Sequence, residues 1–175
     1  MKPGKVSGQR GTIRGVRHSL DDIRADCGPA IARVVASYAP PGPDREDLAQ
    51  EVALALVRAM PQFRGEASLR TFVLRVAHNV GLRSAIKRRE TTGEPYRDST
   101  DPRPSPEQQV AVRRGEERLL AAVRELPVGL RQALTLALEE LSHREISHVL
   151  GISENAVAIR LHRARALLKG LLETS

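Results

Sequence analysis

Aromatic residues are almost missing from this chain: there is no tryptophan, and Tyr38, Phe63, Phe72 and Tyr96 are the whole complement in 175 residues. A binding surface built from several stacked rings therefore has little support. Cysteine is scarcer still. Cys27 alone excludes an internal disulfide framework and a CxxC zinc site, and it reads as a small buried apolar residue. No uncharged stretch approaches the roughly 18 residues of a membrane span, and the N-terminus lacks the apolar core of a secretory signal, so a cytoplasmic protein with no membrane partner is expected. Catalytic signatures are missing too. There is no Gly-rich phosphate loop, no HExxH and no nucleophile elbow, and His18, His78, His143, His148 and His162 show no metal-ligand spacing. Neither an enzyme nor a metal or cofactor is expected.

What the chain does have is charge, and it is unevenly placed. The net charge is +7, with 28 basic and 21 acidic residues. Residues 1–20 carry Lys2, Lys5, Arg10, Arg14 and Arg17 and no acid in a Gly-rich run without periodicity, which reads as a mobile basic tail. Asp44, Glu46, Asp47 and Glu51 form an acidic cluster, whereas Arg64–Arg89 is strongly basic. Residues 91–106 hold four prolines and almost nothing apolar, which suits a linker. Elsewhere apolar residues recur at three and four spacing, with no period-two runs, so the expected fold is all-α with two small helical domains, 21–90 and 107–175. The chain ends at Ser175, soon after its last helical pattern, so an appended C-terminal control domain is not expected.

In the first domain Ile23–Tyr38 is an amphipathic segment ended by Pro40–Pro43, and Asp44 is expected to cap a second helix. Leu48, Val52, Ala55, Leu56 and Ala59 form its core face. Opposite lie Gln50, Leu54 and Val57, with Asp47 and Glu51 alongside. That mixture fits either a partner with apolar and cationic groups or a further contact inside the domain. Pro61 ends the helix, and the loop Phe63–Ser68 follows. Ser68 caps a third helix whose core stripe is Leu69, Phe72, Val73, Val76 and Val80, with Arg75, His78, Asn79 and Leu82 on the other flank and Lys87–Arg89 at its end. Those last cations also suit the helix dipole without any ligand.

In the second domain Ser105, Pro106 and Gln108 look like a helix start. Pro127 stops that helix near Leu126, and a short helix over 128–141 follows. Ser142-His143-Arg144-Glu145 is a capping box, Ile146, Val149 and Leu150 give that helix a buried side, and Gly151-Ile152-Ser153 is a tight turn into a final helix. Val157, Leu161, Ala164, Leu168 and Leu171 form its inner stripe. Asn155, Ile159, His162 and Arg163 face outward with Ala158 at the edge, and Arg160, Arg163, Arg165 and Lys169 supply cations. This helix-turn-helix spacing fits a DNA major groove, where Ile159 would meet a thymine methyl, or a helical hairpin packed on another protein.

Together, Asp47-Leu48-Ala49-Gln50-Glu51, the loop Phe63–Ser68 running into Leu69–Phe72, the Arg75–Asn79 segment, Glu145–Ser153 and Leu161–Ala164 resemble the bacterial sigma factors of the extracytoplasmic-function group, which keep only the second and fourth sigma regions. The resemblance covers about residues 22–90 and 107–172. It implies a subunit that binds core RNA polymerase and promoter DNA, with an anti-sigma factor as a further possible partner. By analogy Asp47, Gln50 and Glu51, with Leu54 and Val57, would meet the basic coiled coil of the polymerase clamp. Arg64, Gly65, Glu66, Ala67 and Ser68, with Asn79, would capture a flipped minus-ten base, and Arg75, Arg83, Lys87 and Arg88 would track phosphates. Asn155, Ala158, Ile159, His162 and Arg163 would read the minus-thirty-five duplex, with Arg160 and Arg165 nearer the backbone. Phe72 stands where relatives usually have tryptophan, so melting falls to the loop. Ala158-Ile159 and Asn155-Ala156 also depart from relatives, so the minus-thirty-five sequence does not transfer. A sigma mimic that sequesters an anti-sigma factor has no need of the cations after Val80 or in the last helix. An ordinary helix-turn-helix regulator has no need of the two-domain layout or the acidic outward face. The resemblance implies two compact bodies held apart by a flexible tether.

Overall fold

The computed structural model describes residues 20–92 and 107–174. The basic tail over 1–19, the linker over 93–106 and the helix start at Ser105 and Pro106 lie outside the described residues. Among the described residues all regular structure is helical: α1 (Leu20–Tyr38), α2 (Pro43–Ala59), a 3-10 turn (Met60–Gln62), α3 (Leu69–Thr92), α4 (Glu107–Glu125), α5 (Val128–Leu138), α6 (His143–Leu150) and α7 (Glu154–Thr174).

Helix α1 passes through Pro29 without stopping. A proline leaves the carbonyl four residues earlier without a helical donor. Here that residue is Ala25, which lies on the exposed side of the helix, where an open carbonyl costs little. Helix α2 starts two residues before expectation: Gly42 is its N-cap and Pro43 its first residue, so Asp44 sits in the first turn beside the positive end of the dipole rather than capping it. Leu48, Val52 and Leu56 are buried as the pattern requires, and each is worth about 1.5–3 kcal/mol in transfer terms. Helix α3 runs between α1 and α2, and its buried set is wider than the expected stripe: Leu74, Ala77 and His78 are buried along with Phe72, Val73 and Val80. Where α1 meets α3 the Tyr38 ring lies directly against the backbone at Gly81. A Cβ there would lie 2.4–2.8 Å from Tyr38 ring atoms, so only glycine admits the tyrosine.

The second group, α4–α7, is built on α5, whose middle is buried on all sides from Arg131 to Leu136. This helix is three residues shorter than expected. Glu140 takes a left-handed backbone (φ 63°) and turns the chain toward α6. At the α6–α7 turn Gly151 adopts φ 65°, and Ser153 Oγ accepts from the Ala156 N–H at 3.2 Å. Val157, Leu161 and Ala164 are buried; Leu168 and Leu171 are half-buried.

The expectation of two bodies held apart is not met. Helices α1 and α3 pack on α4, α5 and α6, and one apolar cluster runs from Val34, Val35 and Leu74 to Ala133, Leu136 and Ile146. The physical reason lies at the end of α1. Pro40 and Pro41 have no N–H, so the carbonyls of Ala36 and Ser37, four residues earlier, lose their helical donors. Two arginines of the second group supply them: Arg124 Nη1 donates to Ala36 O at 3.2 Å and Arg131 Nη1 to Ser37 O at 3.3 Å. Both side chains are almost fully buried. They also place positive charge at the negative end of α1.

Candidate nucleic-acid interface

The outward face of α2 is as the wheel geometry requires. Asp47, Gln50 and Glu51 are exposed, as are Leu54 (56%) and Val57 (49%). The alternative of a further contact within the domain therefore falls away. Alongside, a cleft of about 370 Å³ sets Asp44, Asp47 and Glu51 against Arg83 and Lys87 of α3. Arg88 Nη1 lies 3.7 Å from Asp44 Oδ2, so this expected phosphate contact already has an acidic neighbour.

The loop Arg64, Gly65, Glu66, Ala67 and Ser68 is exposed throughout, as are Arg75 and Asn79. Ser68 caps α3 as expected: its Oγ accepts from the Thr71 N–H at 3.0 Å. Phe63 and Phe72 pack on each other, with centroids 5.0 Å apart, and the Arg75 guanidinium lies 5.5 Å from the Phe72 centroid. Half of the chain's aromatics are thereby committed to supporting the loop. The loop forms one wall of a cleft of about 820 Å³; Arg144, Glu145 and His148 of α6 form the opposite wall.

His78 does not share the outward flank with Arg75 and Asn79. It is 1% exposed, its Nδ1 lies 3.1 Å from the Tyr38 hydroxyl, and the rings meet edge to face. Gln132 also hydrogen-bonds that hydroxyl, and Nε2 has no partner. Burial holds the imidazole neutral, its pKa pushed down to about 3, and pushes Tyr38 up to about 12.

On the second group the capping box is complete. Ser142 Oγ accepts from the Glu145 N–H at 3.3 Å, and Glu145 Oε2 accepts from Ser142 N at 2.9 Å and from its hydroxyl at 2.7 Å. Those bonds hold the Glu145 carboxyl below the usual range. Its Oε1 accepts from Thr71 of α3 at 3.2 Å. On α7, Asn155, Ile159, His162, Arg163 and Arg165 are exposed and Ala158 is half-exposed. Arg160 is tucked inward, its guanidinium against Gly129 at the start of α5, and is less open than its neighbours.

The sequence reading missed one cluster. Glu139, 2% exposed, follows α5 and receives two arginines of the first group: Arg33 Nε at 2.5 Å and Nη2 at 2.8 Å, and Arg70 Nη2 at 2.6 Å. Arg70 Nε also donates to the Glu139 carbonyl at 3.4 Å. A signal was present in the inverted order of Leu138 and Glu139, since the leucine is 62% exposed where the acid is buried. No group of three or more His, Cys, Asp or Glu able to hold a metal ion occurs among the described residues, and none of their helices is long and apolar enough to cross a membrane.

Residues 24–91 match the family Sigma-70 region 2, and residues 116–168 match Sigma-70, region 4. Among curated relatives, the RNA polymerase sigma factor CnrH of Cupriavidus metallidurans is 29% identical over 91% of this chain and 89% of its own. The ECF RNA polymerase sigma-E factor of Escherichia coli is 26% identical over 77% and 76%. The chain belongs to the sigma-70 family, in its extracytoplasmic-function group. This sigma factor is similar in structure to CnrH in complex with the cytosolic domain of CnrY, with TM-score 0.65, 25% identity and 89% and 88% of the two chains covered. It shares its fold with the sigma factor RpoE of Bartonella quintana in complex with the anti-sigma factor NepR, with TM-score 0.67, 18% identity and coverage of 88% and 98%.

Proposed function

We propose that this sigma factor works in the cytoplasm as a non-enzymatic specificity subunit, binding core RNA polymerase and directing initiation at its own promoters. The domain over 21–90 holds core polymerase through Asp47, Gln50, Glu51, Leu54 and Val57. Its loop Arg64–Ser68 and Asn79 take up an unpaired minus-ten base, and Arg75, Arg83 and Lys87 follow the phosphates, joined by Arg88 once it leaves Asp44. The domain over 107–175 reads the minus-thirty-five duplex through Asn155, Ala158, Ile159, His162 and Arg163, with Arg165 on the backbone and Arg160 bracing the helix on α5. An anti-sigma factor, as for RpoE of Bartonella quintana, is a further partner.

The observation that carries the reading is the pair of unsatisfied outward faces. Leu54 and Val57 stand exposed among carboxylates on α2, and Ile159 (45% exposed) stands among polar and cationic groups at the start of a capped α7. Apolar side chains ringed by charge of one sign fit a charged macromolecular partner. Runoff transcription on a genomic fragment library, with purified core enzyme and with or without this chain, tests it. New start sites that depend on the chain are expected; none from any template overturns the reading.

A further inference from the structure

Arg33 and Arg70 are taken up by Glu139, and Arg88 lies beside Asp44. The cleft of about 820 Å³ between the Phe63–Ser68 loop and α6 holds arginines of another kind. Arg64 of the loop, Arg75 of α3 and Arg144 in the first turn of α6 all line it, all are exposed, and none has an ion-pair partner among the described residues. Arg75 is steadied on the wall by the Phe72 ring, 5.5 Å from its guanidinium. Two carboxylates stand among these cations. Glu145 is occupied, since it accepts from Ser142 and from Thr71. Glu66 is exposed and has no hydrogen-bond or ion-pair partner among the described residues.

Cations brought to one concavity from three separate elements repel one another until an anion joins them. Guanidinium groups hold phosphate through paired N–H donors, and a ligand that meets both walls needs more than one anionic group. The volume is that of a site for a whole small molecule, within the usual range of about 300–1,000 Å³. Phe63, half-buried, lines the loop side and offers ring area on which a base can lie. Glu66 repels phosphate and therefore marks the base end. Guanine sets two donors side by side on one edge, N1–H and the 2-amino group, and a carboxylate has the two acceptor oxygens to match them. Asn79, which takes part in the minus-ten role, does not line this cleft.

We infer that this cleft binds a guanine nucleotide carrying at least two phosphates, with the base at Phe63 and Glu66 and the phosphates among Arg64, Arg75 and Arg144. The nucleotide is a ligand and leaves unchanged; no bond is made or broken. Because it engages Arg64, Arg75 and the loop, it excludes the minus-ten strand from them. That consequence rests on the promoter role proposed above, whereas the binding itself does not.

Isothermal titration of the free full-length chain with GDP, ADP and inorganic pyrophosphate tests the site. GDP is expected to bind once per chain and about tenfold more tightly than either of the others, a factor of the size that one charge-assisted contact supplies. Arg144→Ala should weaken GDP binding by about tenfold, and Arg144→Lys, which keeps the charge without the fork, should recover part of the loss; the circular dichroism spectrum of both should match the wild type. Glu66→Ala should bring GDP and ADP to within about twofold of each other, with pyrophosphate no weaker than before. Absence of saturable GDP binding, ADP or pyrophosphate binding as tightly as GDP, or a GDP affinity unmoved by Arg144→Ala overturns the site. Runoff transcription is read separately on the same samples. A chain that binds GDP and never initiates refutes the promoter role and leaves the site standing, and a chain that initiates without binding GDP loses the site alone.

Discussion

Acid should weaken this protein through one histidine. His78 is buried against Tyr38, with a pKa of about 3 in the fold against 6.5 for an ordinary histidine, and its Nε2 has no partner. A second proton would place an uncompensated cation there. The unfolded chain therefore binds more protons between pH 6.5 and 3, and stability is lost as pH falls through that window. The loss works out at about 1 kcal/mol by pH 5.5 and about 3 kcal/mol by pH 4.5. Keeping to pH 7.5–5.5 avoids Glu145, whose lowered pKa adds its own loss only below the ordinary carboxylate value. Urea unfolding at both ends of that range gives the measurement. His78→Phe keeps the edge-to-face ring contact and removes the titration. The variant is less stable at pH 7.5, having lost the Tyr38 hydrogen bond, but its pH slope should be flatter by about 1 kcal/mol over the two units. Equal slopes in both proteins would refute the assignment.

Gly81→Ala should destabilise by about 1–3 kcal/mol in thermal melts, because the added carbon meets the Tyr38 ring at 2.4–2.8 Å. Glu140→Gly should stabilise by about 0.5–1 kcal/mol, since Glu140 holds φ 63° without the freedom of glycine; unchanged melting would place no strain there. Arg163→Ala should weaken promoter binding and reduce the slope of log affinity against log salt by about one, and unaltered titrations would remove Arg163 from the interface. Gln50→Ala with Glu51→Ala should reduce association with core polymerase in pull-downs while the circular dichroism spectrum stays unchanged.

Much of the fold was legible because single helices obey a simple period. The α6 capping box, the Gly151 turn, the Ser68 cap and the α7 stripe all follow from neighbours within four residues in sequence. So do the two outward faces. What periodicity could not give is what depends on the third helix over. His78 looked outward because α3 was assigned one core stripe, whereas α3 is covered by α1 and α2 and touches α5 and α6 as well. Arg124 and Arg131 have no signal within their own helices, because what they satisfy are the carbonyls that Pro40 and Pro41 strip of donors in α1. Glu139 falls within the helix expected over 128–141 and carries no local sign of its partners, which are 106 and 69 residues away.

The Glu145 carboxylate divides its oxygens between two allegiances. Oε2 is committed to Ser142 inside its own domain, while Oε1 reaches across to Thr71. If the halves part, only the second bond is given up and the start of α6 stays wound. The helix-turn-helix thus owes its first cap to its own residues and keeps that shape with or without α3 beside it.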